Sequence, residues 1–379
     1  MFSGEMPTDE LTAEAERVLR ICTACMYCDG LCPVFPAIDG KHRFDLSDLN
    51  YLANLCHNCR GCWYACQYTP PHPFAVNLPA TLAAVRRRSY ADYLWPAAFR
   101  RAFRAPVAGI VAIVSLIMLA TLALVLMSRP PAALFGADDS EGAFYRVLPW
   151  SVMAGAAGAS LLWAVGCIAL ATLRFWRAIA PDVPRGALLR ALAPALRDIV
   201  TLRHLGGGGP GCNDIGERTS QRRRLFHHVM VAGFAGTLLS TVTAAIYHHG
   251  FGVAAPYPLT SLPVLLGLVG GVVMLAGIGG LLWIEYRADS EPADRTEVAL
   301  NVAFLVLLGL VTLSGLAVLA LRDTPAMGLL LAGHLGLVFG LFLVLPFSKA
   351  VHAPFRAAAL LRAAAEKAAA VARRKPDRG

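Results

Sequence analysis

Charge is what this sequence has least of. Asp, Glu, Lys and Arg supply 16% of its 379 residues against 56% apolar residues, and mean hydropathy is +0.55. Soluble domains carry about 25% charged residues, so an ordinary soluble protein is excluded and most of the surface must face lipid. A secretory signal is also missing. The opening MFSGEMPTDELTAEAERVL has neither a basic n-region nor an apolar h-region, and Asp9, Glu10, Glu14 and Glu16 are wrong for one. The first domain is therefore expected to stay in the cytoplasm. No dinucleotide-binding fingerprint is found either: GGGGPG, residues 206–211, follows a helical pattern and precedes polar loop, so it lacks the strand-to-helix context.

Long apolar runs are abundant. Six of them, roughly 106–127, 148–173, 226–248, 260–284, 298–321 and 326–348, are long enough to cross about 30 Å of hydrocarbon as helices. The formal net charge of +9 lies between these runs, which reads as topology and not as a nucleic-acid surface. If the N-terminus is inside, 31 of the 34 Lys and Arg residues fall on inside segments, leaving Arg129, Arg146 and Arg322 outside. The expected fold class is mainly α: a small ferredoxin-like, two-cluster domain over 1–100, then a six-helix transmembrane bundle over 101–352 with a cytoplasmic loop at 174–225, then a basic tail over 353–379. Within that loop GALLRALAPALRDIVTLRHL has amphipathic helical spacing, and the tail reads as a surface helix with a frayed end. The chain is expected to be a multi-pass membrane protein with both termini cytoplasmic.

Eight of the ten cysteines stand in two runs, CTACMYCDGLCP (22–33) and CHNCRGCWYAC (56–66). In a reducing compartment disulfides are disfavoured, and zinc takes its ligands in two separated pairs. Three cysteines at C-x2-C-x2-C wrap a loop around an iron-sulfur cluster, and in the two-cluster pattern the fourth cysteine reaches the other cluster. On that pattern Cys22, Cys25, Cys28 and Cys66 hold one [4Fe-4S] cluster, and Cys56, Cys59, Cys62 and Cys32 hold the second. Pro33 stands where a proline normally follows; Gln67 takes that place in the second run. Cys167 reads as a small apolar residue in a span, and Cys212, closing the glycine run, as a loop cysteine.

Histidine is costly in lipid and marks a functional site by default. The third span carries His227 and His228 at one end and His248 and His249 at the other; the sixth carries His334, with His352 just beyond it. Taken as one continuous helix, His334 and His352 share a face about 27 Å apart, and His227 and His248 lie about 32 Å apart on nearly one face. The helices run antiparallel, so His227 lies level with His352 and His248 with His334. Two bis-imidazole haem sites stacked across the membrane follow, with His228 open as a substitute for His227 if paired with His249. His42, His57, His72 and His204 are not expected to be ligands. The acidic connection Glu285, Asp289, Glu291, Asp294 and Glu297 reads as a solvated loop, and Lys349 as a snorkelling lysine.

These residues resemble the tricarballylate and citrate utilisation protein B family over nearly the whole length. The twin cysteine runs, LRDIVTLRHLGGGGPGCN, RRRLFHHVMVAGFAGTLLSTVTAAIYHH and LPFSKAVHAPFRAA carry the resemblance. The last stretch, with His334 eighteen residues upstream, is also similar to the cytochrome b subunit of respiratory nitrate reductase. The resemblance implies two b-type haems, prefers His248 over His249, and implies a flavoprotein (FAD) dehydrogenase as electron donor and a quinone as acceptor, in a bacterial inner membrane. Any flavin must then sit on another chain. The function so implied is a membrane electron-transfer subunit; a quinol-oxidising conduit feeding a cytoplasmic reductase and a redox sensor are its rivals.

Overall fold

Two kinds of helix build the chain, and their lengths follow from what each has to cover. The computed structural model describes residues 8–99, 106–137 and 140–374; the expected domain boundary at 100/101 and the end of the tail lie outside the described residues. Among those residues the structure is helical, with no β pairing beyond an isolated bridge between Cys212 and Ser220.

The first part is a cap of five helices: α1 (Thr8–Cys25), α2 (Val34–Ile38), α3 (Leu46–Leu55), α4 (Gly61–Tyr64) and α5 (Leu78–Tyr93). α3 starts where the Asp45 side chain accepts the Asp48 N–H. α5 starts where Asn77 accepts the Ala80 N–H, with Pro79 in the first turn. Both are favourable helix starts. Val18, Leu19, Ile38, Leu49, Leu52 and Leu82 are fully buried and form the core. The cysteine loops after α1 and α3 turn through left-handed backbone at Met26, Gly30, Asn58 and Arg60. Non-glycine residues adopt that conformation only where the surroundings hold them to it, most often at functional loops.

Among the described residues six helices are long and apolar enough to cross a membrane. The first is α6 (Pro106–Ser128), followed by short α7 (Pro131–Phe135) and α8 (Ala143–Val147). The second is α9 (Trp150–Ile179), which leads into the amphipathic, non-spanning α10 (Arg185–Val200). Then come α11 (Arg222–Phe251), α12 (Leu262–Arg287), α13 (Arg295–Ala320) and α14 (Met327–Val344), and the chain ends on α15 (His352–Arg374). α11 packs chiefly along α12. The approach is close because Gly233 and Gly277 leave no room for a side chain: a Cβ at Gly233 would stand 2.3 Å from the Met274 N, and one at Gly277 2.4 Å from the Met230 N. Small residues at such a seam let spanning helices approach by van der Waals packing, since lipid offers no hydrophobic drive between them.

The last span departs from the sequence reading. His334 and His352 do not share one continuous helix, so the five-turn, common-face geometry does not hold. α14 stops at Val344, Pro346 supplies no N–H, and Ser348 is fully extended with ψ −179°. The Ser348 side chain then accepts the Ala350 N–H at 3.2 Å, and α15 restarts at His352 with Pro354 in its first turn. The tail also departs from a surface helix. α15 packs against α10, α9 and α3, and Phe355 is fully buried, stacked on Phe175 with ring centres 4.5 Å apart.

Candidate functional site

The four cysteines of each expected set lie together. Cys22, Cys25, Cys28 and Cys66 line one cavity with Met26, Phe35 and Tyr68. Burial pushes the Cys22 thiol up to about 12, and the charges of Cys66, Cys28 and Cys25 add to the rise. The second group is deeper: burial raises Cys62, and Cys59, Cys32 and Cys56 are its first charged neighbours. Cys32 is raised by burial and then by Cys59 and Cys56. Main-chain N–H groups point at the sulfurs, Asn58 N to Cys56 Sγ at 3.4 Å and Tyr68 N to Cys66 Sγ at 3.3 Å. Two groups of four thiols, inside loops that aim amides at sulfur, fit multi-iron clusters that would hold all of them as thiolates. Among the described residues no group of three His, Cys, Asp or Glu side chains is spaced for a single metal ion.

Cys212 is not an ordinary loop cysteine. It is 1% exposed and packed on Cys59 with Leu205, its thiol donating to the Leu205 carbonyl at 3.0 Å. The adjacent Asn213 N–H donates to the Cys59 carbonyl at 2.9 Å, so the segment after the glycine run covers the second thiol group.

Beneath the second group, at the cap end of the bundle, His227 of α11 and His352 of α15 face each other with ring centres 6.4 Å apart at 80°. An imidazole nitrogen binds a transition metal at about 2.0–2.1 Å, and with about 1.1 Å from nitrogen to ring centre on each side two imidazoles sharing one metal ion would stand about 6.3 Å apart. By ring-centre spacing the pair would accommodate one metal ion, such as a haem iron, between the two rings. His352 Nδ1 lies 2.5 Å from the Lys349 carbonyl, which makes Nδ1 the donor and leaves the Nε2 lone pair free. His227 Nδ1 is buried with no hydrogen-bond partner. His228 is turned away, its Nε2 on the Val200 carbonyl at 3.1 Å.

Nearer the far end, His248 stacks on Trp150 at 5.1 Å and meets Tyr145 at 5.2 Å, and its Nδ1 is buried without a partner. His334 faces α13. Its Nδ1 lies 2.9 Å from Ser314 Oγ, and a Cβ on Gly315 would stand 3.0 Å from its Cε1. The Ser314 hydroxyl donates to the Val311 carbonyl at 2.9 Å, so it accepts from His334 Nδ1–H and leaves His334 Nε2 free. No ring contact joins His248 and His334 among the described residues, unlike the pair at the cap end.

A buried ionic junction ties cap to bundle, and it overturns two readings of the sequence. Glu297 is 4% exposed and not part of a solvated loop. It accepts from Arg86 Nη2 at 2.7 and 2.8 Å and pairs with Lys349 Nζ at 2.5 Å. Lys349 is thus internally paired and does not snorkel; burial lowers it to about 8 against the pull of Glu297. The reason lies in the fold: Asp294 caps α13 by accepting the Glu297 N–H, which turns Glu297 inward beneath α5. Arg86 also donates to the carbonyls of Ala53 and Cys56. Nothing in the local sequence around Glu297 signals this; only the distant arginine and lysine do.

Comparison with known proteins agrees along the chain. Residues 15–92 match the family model described as the citrate utilization protein B Fer4-like domain, and residues 101–373 match that described as citrate utilization protein B. The chain is 43% identical over 364 residues to citrate utilization protein B of Escherichia coli, covering 94% of this chain and 93% of that protein. No solved structure matches it.

Proposed function

The chain belongs to the citrate utilization protein B family, and from that premise we propose that it is a membrane electron-transfer subunit of citrate or tricarballylate oxidation. Electrons from a partner FAD dehydrogenase pass through two [4Fe-4S] clusters and b-type haem to the quinone pool of the bacterial inner membrane. The cap and both termini lie on the cytoplasmic side.

The observation that carries this reading is the apposition of His227 and His352, on helices whose arginines bond the loop of the second cysteine run. Clusters and haems supply one-electron chemistry, while the chain places them and sets their potentials by burial, ligands and hydrogen bonds. Cys22, Cys25, Cys28 and Cys66 would hold the outer cluster of the cap, and Cys32, Cys56, Cys59 and Cys62 the inner one. His227 and His352 would hold one haem. His248 and His334, each with a nitrogen left free of hydrogen bonds, would serve the second.

The test is an optical and EPR spectrum of the purified full chain with iron, sulfide and haem counted. Two clusters' worth of iron and sulfide with a Soret band is expected; a loaded cap without Soret absorbance would end the haem half of the reading. Quinol added without flavoprotein tests direction. Ready reduction of the clusters by quinol would reverse the flow.

A further inference from the structure

Each helix of the cap-end imidazole pair carries an arginine one turn from its histidine, on the side of the cap. Arg223 precedes His227 by four residues in α11, and Arg356 follows His352 by four in α15. Both reach the same short loop of the second cysteine run. Arg223 Nη1 donates to the Asn58 carbonyl at 3.1 Å, and Arg356 Nη2 donates to the Cys56 carbonyl at 2.8 Å, with its Nε 3.4 Å from the Asn54 carbonyl. The two guanidinium groups thus clamp residues 54–58 onto the helices that present His227 and His352.

The arginines differ in their counter-charge. Arg223 is ion-paired to Asp214, 3.3 Å from Nε, and Arg86, which also reaches the Cys56 carbonyl, is ion-paired to Glu297. Arg356 has only backbone carbonyls as partners and no carboxylate at ion-pair distance among the described residues. An uncompensated guanidinium inside a protein is costly unless an anionic group balances it. The Arg356 guanidinium sits on the Cys56 carbonyl on one side, and its helix presents His352 one turn away on the other.

We infer that Arg356 is a positioning residue for electron transfer, its unpaired charge raising the electron affinity of the second cysteine group and of the His227–His352 site together. This rests on the electron-transfer reading above. The physical basis is general: net charge and hydrogen bonds around a cluster or haem ligand set its potential, and a cation favours the more negative, reduced state. Because the same residue bonds the Cys56 carbonyl and stands one helical turn from His352, its charge would move the two potentials together.

The experiment is a redox titration of the full chain in detergent, clusters by EPR and haem by its optical bands, for wild type, Arg356→Gln and Arg356→Lys. Iron, sulfide and haem are counted in each. With loading intact, Arg356→Gln is expected to lower the reduced-to-oxidised ratio at fixed potential at least tenfold, or 59 mV for one electron, for both the second cluster and the cap-end haem. The first cluster should shift less. Arg356→Lys, which keeps the charge as a point but loses the planar fork, should fall between the two. A fully loaded Arg356→Gln with unmoved potentials, or with all centres shifted alike, overturns the inference. If Arg356→Gln does not load, Arg356→Lys carries the test, with a twofold to tenfold downward shift of the same two centres expected and unmoved potentials overturning it. Wild-type protein without haem would instead end the haem half of the electron-transfer reading, leaving the second cluster's potential to judge Arg356.

Discussion

The imidazoles of His227 and His352 meet with ring centres 6.4 Å apart, although one lies in the third span and the other opens the helix that follows the last span. His228 is excluded from that meeting by its bond to the Val200 carbonyl. His352→Ala and His227→Ala should each remove the same haem signal while sparing both clusters, and His228→Ala should spare the haem. Haem content per chain by pyridine haemochrome, beside EPR of the clusters, reads the difference. Loss of haem in His228→Ala with retention in His227→Ala would reverse the assignment.

Ser314 holds the other candidate ligand through a single proton. Its own hydroxyl hydrogen is committed to Val311, so His334 must donate from Nδ1 and present Nε2. Ser314→Ala removes the acceptor without changing volume much. Outer-shell partners of this kind are worth about 10–100-fold in affinity for the bound group, so substoichiometric far-end haem with a normal cap-end signal is expected. Gly315→Leu should be harsher, since even a Cβ there stands 3.0 Å from the ring. Full haem content in Gly315→Leu would show that His334 is not a ligand.

The fold was legible in the sequence because its two strongest signals are local. An apolar run of twenty residues has few alternatives to a spanning helix, and two C-x2-C-x2-C runs announce a cluster-type cap. All six spans stand where the hydropathy puts them. The candidate ligands were legible as residue types at helix ends and in loops, but their partnerships were not. Pro346 and Pro354 bracket the break between α14 and α15 and are visible in LPFSKAVHAP, yet a count of eighteen residues passes over them as if the helix were continuous. Arg223, Arg356 and Glu297 escape notice for a different reason. A surface arginine and a clamping arginine look alike in sequence, and what separates them is a contact with a loop hundreds of positions away, such as Arg356 with Cys56.

Glu297 is ion-paired with two buried cations at once, Arg86 and Lys349. Removing one partner of a buried pair leaves an uncompensated charge, at a cost of about 3–5 kcal/mol. Glu297→Ala should therefore loosen the cap from the bundle, seen as a lowered thermal transition in detergent and as faster proteolysis between the two. Arg86→Met with Glu297→Gln, which removes charges of both signs, should be milder than Glu297→Ala alone. Equal damage from the single and double changes would mean that the carboxylate matters for shape and not for charge.

Cys66 lies far in sequence from the three cysteines it joins, and its charge is the first that Cys22 and Cys28 feel from a neighbour. A cluster that keeps three thiolates and loses the fourth commonly becomes labile or loses one iron, so Cys66→Ser should degrade the EPR signal of the cluster nearest the surface of the cap and spare the buried one. Cys32→Ser should do the reverse, because Cys32 feels Cys59 and Cys56. If each run instead supplied all four ligands of its own cluster, the two variants would exchange phenotypes, with Cys66→Ser striking the cluster of Cys56, Cys59 and Cys62. The relaxation behaviour of the surviving signal decides between them, since the intact cluster beside the haem pair should relax faster than the one at the surface of the cap.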